Sequence, residues 1–245
     1  MLAGTAVVAI WNDLAPGMRV EFQEWHLREH IPERVDIPGF RRGRRLVAAD
    51  AATRPAYFTL YEADSMDVLC GAAYAARLNA PTEQTRRVTA RFRDTTRTLA
   101  RVIGTAGLGP GGAMLTLRFS AGPEASATLA ALVRDAAEQP QITGAHLCVS
   151  DSQASGVRSA ESVGRTDLLA PPAWFVLVEA TDPEALAGVI TDAALLAAGA
   201  EGEVVRGVYR LEYLRAKAAP APKRIVPRQS GTQRLGRFRR WQTAP

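Results

Sequence analysis

Cysteine is nearly missing from this 245-residue chain, which has only Cys70 and Cys148. Two such residues build no disulfide framework and point to a reducing, cytoplasmic setting. Long apolar runs are missing too, since none nears the roughly 20 residues that span a bilayer. The opening MLAGTAVVAIW is apolar but carries no basic n-region, so it reads as a first strand and not as a signal peptide. Neither a Gly-rich phosphate loop, a dinucleotide fingerprint nor a Ser/His/Asp order occurs, which sets nucleotide chemistry and nucleophilic hydrolysis aside. Acids are missing from the last stretch: Arg215 to Pro245 holds nine Lys/Arg and no Asp or Glu. Of 30 basic and 25 acidic residues in all, the body before it keeps 21 against 25, a net −4. Nucleic-acid binding needs a basic face on the fold itself, and here the basic charge sits in a tail. The expected partner is therefore a small molecule, with no nucleic acid and no membrane.

What is present is ordinary for a globular protein, 47% hydrophobic and 22% charged residues, enough to bury a sizeable core. The strongest internal signal is a repeat. PAYFTLYEADSMDVL (Pro55 to Leu69) matches PAWFVLVEATDPEAL (Pro172 to Leu186), and IPGF at Ile37 matches ITGA at Ile142. AVVAIW near the start corresponds to AMLTLRF after residue 112. Such self-similarity fixes architecture. It divides the chain into 1–107 and 108–214, with the glycine-rich GLGPGGA between them and the basic Pro/Arg-rich segment 215–245 after them.

Each half reads strand, helix, strand, strand, helix, strand. In the first, strands are expected at Ala6–Trp11, Phe40–Ala48, Tyr57–Ala63 and Thr98–Thr105, with helices over Gly17–Arg34 and after Pro81. In the second, strands are expected at Met114–Phe119, Ala145–Ser150, Trp174–Ala180 and Val205–Leu214, with helices at Glu124–Glu138 and Pro183–Leu196. This is the βαββαβ ferredoxin-like order written twice. In the third strand, Phe58 and Leu60 recur as Phe175 and Leu177, the side expected to meet the helices. The alternate side, Tyr57, Thr59 and Tyr61 against Trp174, Val176 and Val178, is also apolar or aromatic and needs cover. The expected fold class is α+β: two tandem ferredoxin-like units packed sheet to sheet as an α/β barrel, with a basic tail.

W-x-x-x-E-H-x-P-E-R from Trp25 to Arg34, the I-P-G-F that follows and the Arg-rich RRGRR resemble the dimeric α/β-barrel superfamily, and within it the small EthD-like proteins. The order of elements carries the likeness over nearly all of 1–214, the specific motif over about 20 residues. The resemblance implies that the duplication makes in one chain the barrel that single-unit relatives make by dimerising. Members of that superfamily include cofactor-free cyclases, lactone isomerases, monooxygenases and haem-handling enzymes, so the likeness argues for fold more than for chemistry. The basic tail is not part of the family pattern.

HLREH, His26 to His30, fits the H-x-x-E-H spacing of inverted zinc peptidases. Zinc chemistry needs a third protein ligand, and no later helix offers a clear one. Aligned on Ile37 and Ile142, the repeat places Asp135 opposite His30, Arg134 opposite Glu29, Ala131 opposite His26 and Ala130 opposite Trp25. The second half keeps the expected fold without these groups, so folding does not require them. Met18, Phe22 and Trp25 form a stripe whose next member is Glu29, a carboxylate that needs a partner there. His26 and His30, four apart, share a face. The expected site is a cofactor-free acid/base pocket: His30 moves a proton and Glu29 or His26 sets its charge state. Trp25, Tyr57 and Tyr61 line the pocket and Arg44 binds substrate. No metal and no cofactor are assigned. The chemistry that follows is a cofactor-independent lyase or isomerase acting on a small carbonyl-bearing, aromatic or lactone-like metabolite. Alternatives are a non-catalytic small-ligand or haem-binding protein, a metal-dependent enzyme using the HLREH pair, and a purely ion-pairing role for Glu29 and His30.

Two segments fall outside the repeat. Gly144 and Pro172 stand 28 positions apart, against 16 for Gly39 and Pro55. The 12-residue surplus lies in a polar Gly/Ser-rich stretch, DSQASGVRSAESVGRTDLLAPP, a mobile surface loop or a lid. The tail, ending RFRRW, reads as disordered in its first part and as an arm that docks on an acidic body. A homo-oligomer through the tail or the barrel is the expected assembly.

Overall fold

The computed structural model describes residues 1–217. Nine strands form: β1 Ala6–Leu14, β2 Phe40–Ala48, β3 Tyr57–Ala63, β4 Phe92–Gly107, β5 Ala113–Ala121, β6 Ile142–Ser150, β7 Leu168–Leu169, β8 Trp174–Ala180 and β9 Ala200–Ala216. Hydrogen bonding runs β1-β3-β2-β9-β5-β8-β6-β4, and β4 returns to β1, so eight antiparallel strands close a barrel. Closure removes the free edges that an open sheet must protect.

The two longest strands carry the closure. β4 pairs with β1 from Phe92 to Arg101, then with β6 from Ala100 to Gly107. β9 pairs with β5 from Ala200 to Arg210, then with β2 from Tyr209 to Ala216. Each leaves its own half and becomes an edge partner in the other. Both strands begin before the expected Thr98 and Val205: Phe92 pairs with Leu14 at the end of β1 and Ala200 with Ala121 at the end of β5, so most of the added length is held within its own half. β9 also takes in Arg215 and Ala216, at the start of the basic segment; the remainder of that tail, with RFRRW, lies outside the described residues.

The faces are the reverse of the expected ones. Phe58, Leu60, Phe175 and Leu177 point into the barrel, where they pack with Trp11, Leu46, Met114 and Tyr209. Tyr57, Tyr61 and Ala63 meet the helices of the first half, and Trp174, Val176 and Val178 meet those of the second. A strand buried on both faces lacks the polar–apolar alternation that would orient it, and all seven residues of β3 and of β8 are buried. Polar groups are buried in the barrel too. Arg44 reaches Glu62 at 3.0 Å and Glu179 at 2.6 Å, and Glu179 accepts from Gly111 N–H at 3.0 Å and lies 3.2 Å from His146 Nε2. Glu62 and Glu179 occupy matching positions of the repeat, so one guanidinium joins them.

Helices cover the outside. α1 Arg19–Trp25, a π turn over His26–His30 and α2 Ile31–Asp36 run on as one rod against β2 and β3. α3 Met66–Leu69, α4 Ala72–Asn79 and α5 Glu83–Thr89 complete the first half. α6 Ser126–Ala137, α7 Ser152–Gly156 and α8 Asp192–Ala197 belong to the second. The helix expected over Pro183–Leu196 is broken. Gly188 turns left-handed at φ +72, and a new helix starts where the Thr191 hydroxyl accepts the Ala194 N–H at 3.1 Å. The rod of the first half sits close on its sheet at Gly43. A Cβ there would lie 2.9 Å from the Ile31 side chain and 3.1 Å from the Tyr61 ring, so only glycine lets the helix approach this far. Among the described residues no helix is long and apolar enough to cross a membrane.

Candidate functional site

HLREH is the π turn itself. Ile31 N–H donates to His26 O, five residues back. The next residue, Pro32, has no N–H to give Arg28 O, and its ring would strike that carbonyl in a regular α-helix. Widening the turn by one residue relieves the clash. It also turns Trp25, His26, His30 and Ile31 all inward, and each is buried. Such turns are uncommon and gather at functional sites.

The inward side chains stack. Trp25 lies 4.7 Å from the His26 ring and 4.1 Å from the His30 ring, and the two imidazoles are nearly parallel, 15° apart with centroids 5.6 Å apart. Between them and the outer face of the sheet is a small enclosed cavity of about 40 Å³. Ile10, Asn12, Thr59 and Tyr61 form its floor, and Arg34, Tyr74, Phe92 and Arg97 its sides. Several buried polar atoms around it have no hydrogen-bond partner among the described residues: His26 Nδ1, His30 Nδ1, Arg34 Nη1, Thr59 Oγ1 and Tyr61 Oη. Orphaned polar atoms are costly and uncommon in protein interiors. Five around one cavity mark a place shaped to meet something polar.

Burial sets the charge states. It pushes the His26 imidazole well below its usual range, and the positive charges of Arg45 and Arg34 push the same way. His30 is lowered by burial first, then by Arg34, His26 and Arg77. Both rings are therefore neutral at pH 7, each with a nitrogen able to accept a proton. Burial raises the Tyr61 phenol far above its usual range, so it stays an O–H donor.

The wall facing solvent comes from the other half. The polar surplus stretch folds back over the first half and puts Glu161 and Arg165 on the cavity. Glu161 pairs with Arg34 Nη2, and its Oε1 lies 4.0 Å from His30 Nε2. Its own backbone N–H donates to Leu78 O at 3.1 Å, and Ala160 N–H donates to Asn79 at 3.0 Å, so α4 holds the segment. Arg165 bonds Asp167 and Thr95 and lies over the Phe92 ring. The stretch is a cover over the first half's cavity.

The structure brings together Trp25, His26, His30 and Tyr61 of the residues expected from sequence. Glu29, Tyr57 and Arg44 lie elsewhere. Glu29 accepts from the Thr82 and Thr85 hydroxyls, the latter at 3.0 Å, and Trp25 Nε1 donates to the same Thr85 at 3.1 Å. This carboxylate fastens the rod to α5 and does not touch His30. Tyr57 packs on Phe22, with centroids 4.9 Å apart, in a neighbouring apolar cluster. Arg44 is inside the barrel. Sequence reasoning passed over Thr59, Tyr74, Arg97, Glu161 and Arg165, and treated Arg34 only as an ion-pair partner. For Glu161 the signal was the surplus that breaks the repeat. Among the described residues no group of three His, Cys, Asp or Glu side chains has metal-holding geometry.

No protein-family model matches this chain, and no curated protein sequence does. Solved structures do. An anthrone oxidase-like protein superimposes with a TM-score of 0.55 at 14% identity, covering 86% of this chain and 92% of the other. A provisionally named monooxygenase from Lactobacillus acidophilus NCFM gives 0.54 at 8% identity, over 86% and 96%. Another from Fusobacterium nucleatum gives 0.53 at 8%, over 89% and 98%. At these identities the likeness establishes the fold, an α+β barrel.

Proposed function

We propose that this chain is a covalently duplicated ferredoxin-like barrel of the EthD-like kind, whose first half is a cofactor-independent acid/base enzyme for a small carbonyl-bearing substrate. The observation that carries this reading is the pair of neutral, buried imidazoles facing a cavity rimmed by orphaned donors. His30 Nδ1 takes a proton from carbon next to the carbonyl. The electron pair left behind becomes an enolate, whose oxygen receives a hydrogen bond from Tyr61. Return of the proton to a different carbon completes an isomerisation; loss of a leaving group from the β-carbon completes a lyase reaction. Burial first, then Arg34 and His26 beside it, keep the resting base neutral.

An enolate is also electron-rich enough to reduce dioxygen without a cofactor. The oxidase and monooxygenase names of the structural neighbours favour oxygenation as the second reading. The two share the first step and differ in whether O₂ is consumed.

The test is His30→Gln, assayed for turnover across a metabolite panel with an oxygen electrode in parallel. A positioned general base contributes about 10²–10⁴-fold, and a loss of that order with retained ligand binding is the expected result. Activity should fall on acidification only below the His30 pKa, which itself lies below 6.5, because the base must be neutral. Undiminished turnover in His30→Gln would remove the base from the mechanism.

A further inference from the structure

A second, larger cavity of about 330 Å³ adjoins the first on the solvent side. The two share Leu78, Arg97, Glu161 and Arg165 in their walls. Volumes of this order hold small-molecule ligands, whereas the inner chamber alone has room for only a fragment. Glu161 stands on the partition. The outer chamber adds Arg158 and the apolar Val157, Leu168 and Leu169, with Pro171. Its charge is therefore positive apart from Glu161, since Asp167 already holds Arg165 at 2.6 Å.

Arg34 explains what Glu161 does there. The guanidinium is 2% exposed, and a buried cation needs a matched anion. Glu161 supplies one to Nη2. Nη1 has only Glu33 Oε2 at 3.7 Å and no hydrogen bond among the described residues. Glu161 belongs to a segment of the other half, held to α4 by two backbone-donated hydrogen bonds. Strand β7 keeps the segment on β4, so what can swing away is the Glu161 side chain, whereas Arg34 is buried in the rod.

We infer that the substrate is a small aromatic or apolar carboxylate, whose carboxyl group displaces Glu161 from Arg34 so that inner and outer chambers become one site. This rests on the acid/base reading for the chemistry, but not for the binding. Exchange of one carboxylate for another keeps Arg34 paired throughout. A neutral ligand would open the partition and leave the guanidinium unmatched. The displaced Glu161 side chain turns out to solvent while its segment stays on β4. Guanidinium geometry suits this: two parallel N–H groups meet the two oxygens of a carboxylate. The carboxyl and the reactive carbon would then lie in the inner chamber beside Arg34 and His30, with the ligand's apolar body in the outer chamber against Val157, Leu168 and Leu169.

The experiment is calorimetric titration of the full chain with benzoate and with its neutral isostere benzamide, on the wild type and on Glu161→Gln. The amide side chain keeps the shape of the partition and drops the competing charge. Benzoate should bind the wild type and bind Glu161→Gln at least tenfold more tightly, with benzamide weaker on both and unchanged by the substitution. Equal affinity for the two probes, or no gain for benzoate in Glu161→Gln, would overturn the inference, as would a lack of binding by either probe at millimolar concentration. Arg34→Gln should abolish the preference for benzoate; if that variant does not fold, the Glu161→Gln pair decides alone. The same titration on His30→Gln separates the two ideas. Retained benzoate preference there supports the carboxylate site whether or not His30 proves to be the base.

Discussion

The two halves of the barrel meet their helices in opposite ways. On the second, Leu129, Val133 and Ala136 of a regular α6 close on Val176 and Val178 in one dry apolar cluster. On the first, a helix widened by a π turn sets Trp25, His26 and His30 over Thr59 and Tyr61, with orphaned polar atoms between. Repeat alignment puts Val176 at the place of Thr59 and Val178 at that of Tyr61. One interface is apolar throughout, and the other holds a cavity lined by buried polar groups. The contrast teaches where stability is held: in the second half and in the shared barrel, while the first half carries the strain of a site.

A few substitutions and one change of condition would break or sharpen that contrast. The largest effect is expected where the halves join. Glu179→Ala strips Arg44 and His146 of a fully buried partner and should cost about 3–5 kcal/mol in urea unfolding, the usual penalty for breaking a buried pair. Acid comes next. His26 and His30 are held well below the ordinary imidazole value of 6.5 when folded, so under that pH the unfolded chain binds more protons than the native one. Stability should therefore drop as pH falls from 6.5, by about 1.4 kcal/mol per unit for each imidazole until its folded pKa is reached. A His26→Gln/His30→Gln double variant should lose that part of the slope; an unchanged slope would show the rings already exposed. Smallest are the swaps that lend the first half the second half's chemistry. Thr59→Val and Tyr61→Phe each remove a buried hydroxyl that has no hydrogen-bond partner among the described residues and should be neutral or stabilising by about 1 kcal/mol. The reciprocal Val176→Thr in the dry interface should destabilise by about 1–3 kcal/mol.

The sequence made the barrel legible because its repeat is carried by long apolar strands whose period and order survive in both copies. Strand ends were less legible, since the early parts of β4 and β9, from Phe92 and Ala200, are held by β1 and β5 partners about 80 residues away. The orientation of β3 and β8 was misread because burial on both faces erases the alternation that would tell them apart. In the site, the aromatic and imidazole members stood out as departures from the repeat. Glu29 did too, but it is there to meet two threonines. The π turn could have been read from Pro32, four residues after Arg28, had the helix not been taken as regular. Arg34 and Glu161 come together across 127 residues. A pairing of that range leaves no local pattern; only the surplus length of the second half hinted that its extra segment had somewhere to go.

The covering segment of the second half has a consequence for stoichiometry. A barrel made from two identical chains must repeat every feature about its twofold axis, so it has two covers or none, and two sites or none. Here the exchange of β4 and β9 lets one continuous chain build the whole barrel, and no symmetry forces the halves to match. Glu161 reaches across to the first half, and nothing of the first half reaches back over Val176 and Val178. The barrel is thus asymmetric by construction. Under the proposed function this means one ligand equivalent per chain, with the other half free to serve as scaffold.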